Sequence, residues 1–194
     1  MQKKNSPFCA MLSRMKYIPR WSLMRCARTE NLAEHTAETA QLAHVLCCAS
    51  NALFGGDVRA DKVAAAALYH DAPEIITGDL PTPIKYHNPA IREAYRQVEQ
   101  VAEEKLLGML PEDLRPGYRA ALSPAAETVQ TLVRAADKLS AYIKCVEELK
   151  AGNDEFRKAS QQTMEALKAM NLPELEYFME HFLPSYRLTL DELE

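Results

Sequence analysis

Residues 66–83, AALYHDAPEIITGDLPTP, decide how the whole sequence is interpreted. The stretch begins with small and apolar residues, which favour a helix that packs in a core. It then places His70 and Asp71 side by side, and Pro73 follows them. Proline removes a backbone donor and clashes with the preceding turn, so the helix is expected to stop or bend just after the His-Asp pair. Ionisable residues at such a bend suggest a functional site.

The composition favours an all-α protein of one domain. Ala, Leu, Glu, Lys, Arg and Met are frequent among the 194 residues, whereas glycine occurs only six times. The frequent residues are strong helix formers, and a chain of this length can bury a sizeable core in one domain. We therefore expect residues 1–194 to form a single compact multi-helix bundle of about six to nine helices.

Caps, glycines and prolines delimit the predicted helices. Helices are predicted over about 7–16, from Thr29 or Asn31 to about Ser50, from Asp61 to the His-Asp pair, over about 91–110, over about 125–151, and on both sides of Pro173. The segment 78–89 is rich in proline and is predicted to be a loop, while 111–124 is predicted to be a connector or a short helix.

Charge and hydropathy exclude several classes of partner. The formal net charge is −4, and the 23 basic residues are scattered, so no basic stripe for a nucleic-acid backbone is present. No apolar run approaches the roughly 20 residues that span a bilayer, and the N-terminal residues do not resemble a signal peptide. The five cysteines form no CxxC pair, which is typical of reduced thiols. We therefore expect a cytoplasmic protein.

Three of the predicted helices carry ionisable side chains at or beside their apolar faces. Helical geometry places His35 at the edge of one apolar face and His70, with Asp71 next to it, on another. Asp137 borders the apolar stripe of the long helix 125–151, where a carboxylate is costly to bury without a positive partner. If these helices pack together, two imidazoles and two carboxylates meet. That set of donors suits a transition metal such as Zn, Mn, Co or Fe.

Spacing alone leaves a less specific interpretation open for each of these residues. A single histidine near an apolar face is usually a core or boundary residue, and Asp137 could instead pair with Lys138 or Arg134. On the residues alone, Trp21 could be a buried anchor and Asp79 a turn-forming residue. The remaining histidines are interpreted as ordinary structural residues: His44, His87 and His181.

The order of these residues resembles the HD-domain phosphohydrolase superfamily, in which a His, a His-Asp doublet and a distant Asp lie on helices of an all-α domain. Three segments are similar to those of the bacterial HD-domain 5′-deoxynucleotidases: RWSLMRCARTENLAEH at 20–35, ALYHDAPEIITGDLPTPIKY at 67–86 and ADKLSAYIKCVEELKAGN at 136–153. The likeness extends over nearly the whole chain, including PSYRLTLDEL at 184–193.

The resemblance implies a set of site residues. One divalent transition metal ion per subunit (Co, Mn, Zn, Cu or Fe) would be held by His35, His70, Asp71 and Asp137. Glu74 would be the catalytic carboxylate. The substrate would be bound by Arg20, Trp21, Asp79, Leu80, Pro81 and Thr82, together with the metal-site residues His35, Asp71 and Asp137. Lys85 is a further phosphate contact or, on the residues alone, a solvated side chain. The resemblance also implies a homodimer.

The implied reaction is the hydrolysis of deoxyribonucleoside 5′-monophosphates to deoxyribonucleoside and phosphate, with selection against ribonucleotides by Arg20 and Trp21. Two alternatives stay open at this stage. One is another HD-domain phosphohydrolase, acting on cyclic nucleotides, guanosine polyphosphates or deoxynucleoside triphosphates, although triphosphates would favour more basic residues near the site. The other is a helical binding protein without catalytic activity.

Overall fold

The computed structural model describes residues 5–85 and 87–194, and it is helical almost throughout. The α-helices are α1 (Phe8–Leu12), α2 (Leu32–Leu53), α3 (Ala60–Tyr69), α4 (Glu74–Thr77), α5 (Thr82–Lys85), α6 (Pro89–Gly108), α7 (Arg115–Leu122), α8 (Glu127–Lys150), α9 (Arg157–Lys168) and α10 (Pro173–His181). Within the described residues, β pairing is confined to one isolated antiparallel bridge between Pro19 and Asn31. The predicted all-α class is therefore confirmed.

The two ends of α2 follow from its capping residues. The Asn31 side chain accepts from the backbone N–H groups of Ala33 and Glu34 at 3.0 and 3.1 Å, and Glu34 accepts from the Asn31 backbone at 3.2 Å. This capping box fixes the start of the helix at Leu32. Gly55, with a φ of 71°, supplies the left-handed residue that ends it.

Three local predictions differ from the structure. The N-cap of α3 is Arg59 and not Asp61, which lies in the first turn and accepts from the Arg59 guanidinium. Helix α2 continues to Leu53, beyond the predicted end near Ser50. The predicted loop 78–89 contains the single turn of α5, because the Pro81 carbonyl accepts two backbone hydrogen bonds.

The main core lies between α2, α3 and α8, which pack against one another. Leu46, Val63 and Leu139 are representative of its fully buried residues. A second apolar cluster contains Phe8, Leu106 and Leu107 from α1 and α6, together with Ala72. Since α3 belongs to the first cluster and Ala72 to the second, the His-Asp pair between them is held from both sides.

No helix in the described parts of the chain is long and apolar enough to cross a bilayer.

Candidate active site

The four predicted metal ligands lie together where α2, α3 and α8 meet. His35 Nε2 lies 3.1 Å from Oδ1 of Asp137 and 3.4 Å from Oδ2 of Asp71. His70 Nε2 lies 3.2 Å from Oδ1 of Asp71 and 3.8 Å from Oδ1 of Asp137. One donor atom from each of His35, His70 and Asp71 can be chosen so that all lie within 4.8 Å of one another. We call these four residues the histidine–aspartate cluster.

Both imidazoles of the cluster use Nδ1 for contacts with the protein and turn Nε2 toward the carboxylates. His70 Nδ1 lies 2.6 Å from the carbonyl oxygen of Ala67, which can only accept a hydrogen bond. His35 Nδ1 lies 3.0 Å from the hydroxyl of Ser140 on α8. The nitrogen that remains for a ligand is therefore Nε2 in each ring.

The proline after the doublet redirects the chain without removing Glu74 from the site. Pro73, with a φ of −55°, is the N-cap of the one-turn helix α4, and Glu74 begins that helix. The Glu74 backbone N–H donates to the carbonyl of Asp71 at 3.0 Å, so a tight turn joins the two carboxylate residues. The Glu74 side chain is buried, and its Oε1 lies 3.7 Å from Nζ of Lys85.

Over the described residues, the buried side-chain atoms that have no hydrogen-bond partner all belong to this site. They are Nε2 of His70, Oε2 of Glu74 and Nε of Arg20. Buried polar atoms are nearly always paired, so atoms without a partner mark a place for a ligand, an ion or water. Imidazole nitrogen and carboxylate oxygen are donors that borderline divalent metals accept. The residues present therefore fit a divalent metal ion.

The carboxyl groups of Glu74 and Asp71 differ in their electrostatics. Burial raises the pKa of Glu74 to about 9, and the negative charge of Asp71 adds to this effect. Burial acts in the same direction on Asp71, but the charge of His70, with a further contribution from that of His35, prevails and lowers the pKa of Asp71 to about 2. Two carboxyl groups with such different environments are typical of sites that move protons.

The loop before α2 brings Arg20 and Trp21 into the site. Arg20 Nη1 donates to Oδ2 of Asp71 at 3.3 Å, and Arg20 Nε lies 3.6 Å from Oε1 of Glu30. Trp21 has a φ of 59°, a left-handed conformation that strains a bulky residue. Its Nε1 donates to Oε2 of Glu30 at 2.8 Å, and its ring centroid lies 5.2 Å from that of Phe156. These contacts fix the indole in spite of the backbone strain.

A second set of buried charged side chains holds the same loop closer to the start of α2. Glu148 on α8 accepts from the backbone N–H groups of Ala27 and Arg28 at 2.7 and 3.2 Å, and from Nδ2 of Asn153 at 2.8 Å. Lys144 Nζ also donates to Glu148 and to the Arg28 carbonyl. Burial opposes ionisation, yet these hydrogen bonds lower the pKa of Glu148 to about 2. We call Glu148, Lys144 and Asn153 the loop anchor.

The segment that follows α4 supplies the other predicted substrate residues. Asp79, Leu80 and Pro81 are half-buried and Thr82 is exposed. Burial raises the pKa of Asp79, while the nearby charge of Arg20 opposes that shift. The segment therefore borders the Arg20 side of the site, and its Pro81 carbonyl starts α5.

Lys85 is more closely involved in the site than the sequence indicated. Its Nζ lies 2.8 Å from Oε1 of Glu99 and 3.7 Å from Oε1 of Glu74, and it lies 4.8 Å from the centroid of the Tyr95 ring. Lys85 is half-buried by these contacts and not simply solvated. Sequence reasoning had no signal for this, since neither α5 nor its packing on α6 was predicted. Glu30 and Ser140 were missed as site residues in the same way.

The structure agrees with the interpretation of the remaining histidines and of the cysteines as residues without a special role. The three remaining histidines are exposed: His44, His87 and His181. The five cysteines are free thiols: Cys9, Cys26, Cys47, Cys48 and Cys145.

Comparison with known proteins gives one family and several close relatives. The family model described as 5′-deoxynucleotidase YfbR-like matches residues 7–186. A protein named 5′-deoxynucleotidase from Yersinia pestis (strain Pestoides F) is 49% identical over 190 residues, which cover 97% of this chain and 96% of the relative. A protein of the same name from Yersinia pseudotuberculosis serotype O:3 (strain YPIII) matches with the same identity and coverage.

Solved structures share the fold at lower sequence identity. An HD-domain phosphohydrolase from Listeria innocua superposes with a TM-score of 0.79 at 22% identity, over 92% of this chain and 87% of that one. The cyanophage S-2L HD phosphohydrolase, solved with dA and one catalytic Zn²⁺ ion, superposes with a TM-score of 0.67 at 19% identity, over 97% of this chain and 100% of that one. At these identities the likeness concerns the fold alone.

Proposed function

This chain belongs to the 5′-deoxynucleotidase YfbR-like family, and on that premise we propose that it hydrolyses deoxyribonucleoside 5′-monophosphates to a deoxyribonucleoside and phosphate. The observation that carries the proposal is the histidine–aspartate cluster, which gathers donors from three helices beside buried polar atoms that have no partner. Such an arrangement costs stability unless a ligand completes it. It is therefore better explained as a reaction centre than as a structural element.

The metal would be held by His35, His70, Asp71 and Asp137. When bound, a divalent ion polarises a phosphoryl oxygen and makes water a stronger nucleophile. The contribution of the chain is to fix the donors: α2 and α8 orient His35 and Asp137, and the turn after α3 orients the doublet. Imidazole and carboxylate ligands accept several divalent transition metal ions, and the proposed ion is one of Co, Mn, Zn, Cu or Fe.

Glu74 is proposed as the residue that moves the proton. A phosphate monoester is cleaved when water attacks phosphorus, the P–O bond to the 5′-oxygen breaks, and that oxygen gains a proton. Glu74 would take a proton from the attacking water or deliver one to the leaving 5′-oxygen, and the raised pKa of its buried carboxyl favours the delivery. The free Oε2 supports this role because it has no partner in the protein, while Oε1 faces Lys85.

Arg20 and Trp21 are proposed to select the sugar. Arg20 keeps a buried Nε without a hydrogen-bond partner, and this donor would bind an oxygen of the substrate. The indole of Trp21, held by Glu30 and Phe156, offers a fixed apolar wall. A 2′-hydroxyl packed against such a wall would lose its hydration and gain no partner, so ribonucleotides would bind less well.

The segment after α4 is proposed to bind the nucleoside. Asp79 would accept a hydrogen bond from the sugar 3′-hydroxyl, and Leu80, Pro81 and Thr82 would line the nucleotide. Lys85 would contribute a positive charge on the phosphate side, since it already lies 3.7 Å from Glu74. The resemblance implies Asp79, Leu80, Pro81 and Thr82 as substrate-binding residues, and Lys85 is added because of its position beside Glu74.

We also propose that the protein is a cytoplasmic homodimer. The free cysteines support a reducing compartment, because thiols in oxidising compartments usually pair. Light scattering coupled to size exclusion would report the mass, and a value near the 21.8 kDa of a single chain would contradict the dimer.

The experiment that tests the function is a phosphate-release screen. Deoxy- and ribonucleoside mono-, di- and triphosphates, cyclic nucleotides and guanosine polyphosphates are incubated with the protein and one of several divalent ions. We expect release from deoxyribonucleoside 5′-monophosphates and much less from their ribonucleotide counterparts. Preferred hydrolysis of a triphosphate or a cyclic nucleotide, or release that persists in excess chelator, would contradict the proposal.

A further inference from the structure

Ser140 and Glu38 form a buried contact behind the histidine–aspartate cluster. Ser140 is fully buried on α8, one turn after Asp137, and its hydroxyl lies 3.0 Å from Nδ1 of His35. The same hydroxyl donates to Oε2 of Glu38 at 2.5 Å. A side chain from α8 and a carboxylate from α2 therefore meet on the side of His35 that faces away from Asp71 and Asp137.

We propose that Ser140 and Glu38 are positioning residues that keep a proton on Nδ1 of His35 and so present its Nε2 lone pair to the metal. The inference rests on the proposed function, in which His35 is a metal ligand. It assigns a role in metal affinity to two residues that are not among the predicted site residues.

The direction of the hydrogen bonds follows from what each group can donate. A serine hydroxyl has one proton, and an ionised carboxylate can only accept. The distance of 2.5 Å between Ser140 and Glu38 is typical of an O–H group that donates to a carboxylate. The hydroxyl proton is therefore directed at Glu38, and the Ser140 oxygen is left to accept from Nδ1–H of His35. That leaves Nε2 of His35 as the basic nitrogen.

The other groups near His35 agree with this tautomer or contribute little. Glu30 Oε1 lies 3.6 Å from Nδ1, which is too far for a hydrogen bond, although its negative charge also favours a proton there. The hydroxyl of Thr39 lies 3.5 Å from Nε2, at the outer limit of a hydrogen bond. Ser140 is therefore the group that makes a hydrogen bond of normal length with the ring.

The two histidines of the cluster reach the same tautomer in different ways. His70 donates to the carbonyl of Ala67 in its own chain segment, and a backbone carbonyl cannot act as a donor. Ser140 can rotate, so its hydroxyl would donate to His35 Nδ1 if nothing else accepted the proton. Glu38 removes that freedom, because it binds the hydroxyl proton. Partners of this kind behind a metal-bound imidazole commonly alter metal affinity by about 10–100-fold.

The test measures metal binding and not only activity. Co²⁺ affinity is determined by competition with a chelator for the wild type, Ser140→Ala and Glu38→Gln. Thr36→Val is the control for Ser140→Ala, since it removes a hydroxyl of similar burial, here from α2, the helix that carries Glu38. In the Zn²⁺-loaded proteins, the ¹H–¹⁵N correlation of the His35 ring reports whether Nδ1 carries a hydrogen-bonded proton. Wild-type affinity serves as the reference for each variant.

We expect Ser140→Ala to weaken Co²⁺ binding about 10–100-fold and to speed exchange of the His35 Nδ1 proton with water. Glu38→Gln should weaken binding in the same direction but less, because the amide oxygen can still accept from Ser140. If Ser140→Ala does not fold, Glu38→Gln at its half-buried position decides the matter. If Glu38→Gln and any folded Ser140→Ala bind Co²⁺ as tightly as the wild type does, the inference is overturned.

A further variant separates this inference from the proposed function. His35→Ala should lose Co²⁺ binding if His35 is a ligand. Wild-type affinity in His35→Ala would refute the metal-site assignment itself. Loss of binding in His35→Ala together with unchanged binding in Ser140→Ala and Glu38→Gln would refute only the role of the positioning pair.

Discussion

The two buried charged groups, the histidine–aspartate cluster and the loop anchor, differ in how completely their polar atoms are paired. In the loop anchor, the Glu148 carboxylate accepts from two backbone N–H groups, from Asn153 and from Lys144. In and around the cluster, polar atoms of His70, Glu74 and Arg20 are buried without a hydrogen-bond partner. Helix α8 contributes to both groups, with Asp137 in the cluster and with Lys144 and Glu148 in the anchor.

This difference indicates which charges stabilise the fold and which are kept for chemistry. A buried ion pair with all its hydrogen bonds satisfied is expensive to break, because removing one partner leaves the other charge without compensation. A buried group with unpaired atoms lowers stability unless a ligand binds it. We therefore expect changes in the cluster to affect activity, and changes in the anchor to affect unfolding.

The largest effect is expected from Asp71→Asn. The amide keeps the shape of the side chain but removes the negative charge that holds a cation, so metal binding should fail and the rate of phosphate release should fall by about 10³-fold or more. Metal analysis and an activity assay measure the two effects. Asp113→Asn, on the exposed surface, is the control. A variant that keeps one metal ion and normal turnover would contradict the assignment of Asp71.

A somewhat smaller effect is expected from Glu74→Gln. The amide cannot exchange a proton, so kcat should fall by about 10²–10⁴-fold while metal content stays the same. Steady-state kinetics with metal analysis on the same sample separate the two. The exposed Glu165→Gln should behave like the wild type. Normal kcat in Glu74→Gln would remove Glu74 from the mechanism.

Glu148→Ala in the loop anchor is expected to affect unfolding rather than activity. Lys144 and two backbone N–H groups would be left buried without their acceptor, and the free energy of unfolding should fall by about 3 kcal/mol. Urea unfolding measures the change, and Glu147→Ala at the neighbouring exposed position is the matched control. A loss of less than about 1 kcal/mol, within the range of ordinary surface substitutions, would contradict the structural role of the anchor.

A smaller effect is expected in the loop before α2, which contacts both the histidine–aspartate cluster and the loop anchor. Trp21→Ala should reduce the preference for deoxyribonucleotides about tenfold, since the apolar wall beside the sugar is lost. Trp21→Phe keeps much of that wall and should retain most of the preference. The ratio of kcat/KM for a deoxyribonucleotide and its ribonucleotide is the measurement. An unchanged ratio in Trp21→Ala would show that selection lies elsewhere.

The smallest predicted effect is a pH dependence of the anchor. Because the pKa of Glu148 is about 2 in the folded protein and 4.5 without its partners, its contribution is complete above pH 4.5 and is lost as the pH falls toward 2. Between pH 6 and pH 4 the stability difference between wild type and Glu148→Ala should shrink by about 0.8 kcal/mol. Urea unfolding at the two pH values measures it, and a difference that grows would contradict the sign.

Much of the fold was predictable from caps, breakers and helix-forming composition. Asn31 caps α2 as expected, because its role depends on neighbouring backbone groups. Asp61 was wrongly taken as a cap, since any acidic residue near a helix start fits that pattern and only the backbone angles distinguish the position. The one-turn helix α5 was missed because prolines in 78–89 favour a loop on sequence alone.

The site was predictable only where residues are close in the chain or belong to a family motif. His35 and Asp137 lie far apart in sequence, and helical periodicity gave only their faces; their meeting depends on how α2 and α8 pack. Ser140 was not singled out, because periodicity does not distinguish a buried hydroxyl from a buried methyl group. Lys85 was left as either a phosphate contact or a solvated side chain, since its partner Glu99 lies on another helix.

The most direct test of the central claim is phosphate release from 2′-deoxyadenosine 5′-monophosphate by protein that has been stripped of metal and then titrated with Co²⁺. We expect no release by the stripped protein and full activity at one ion per chain, with no recovery in Asp71→Asn. Undiminished release by the stripped wild-type protein, or equal recovery in Asp71→Asn, would contradict it.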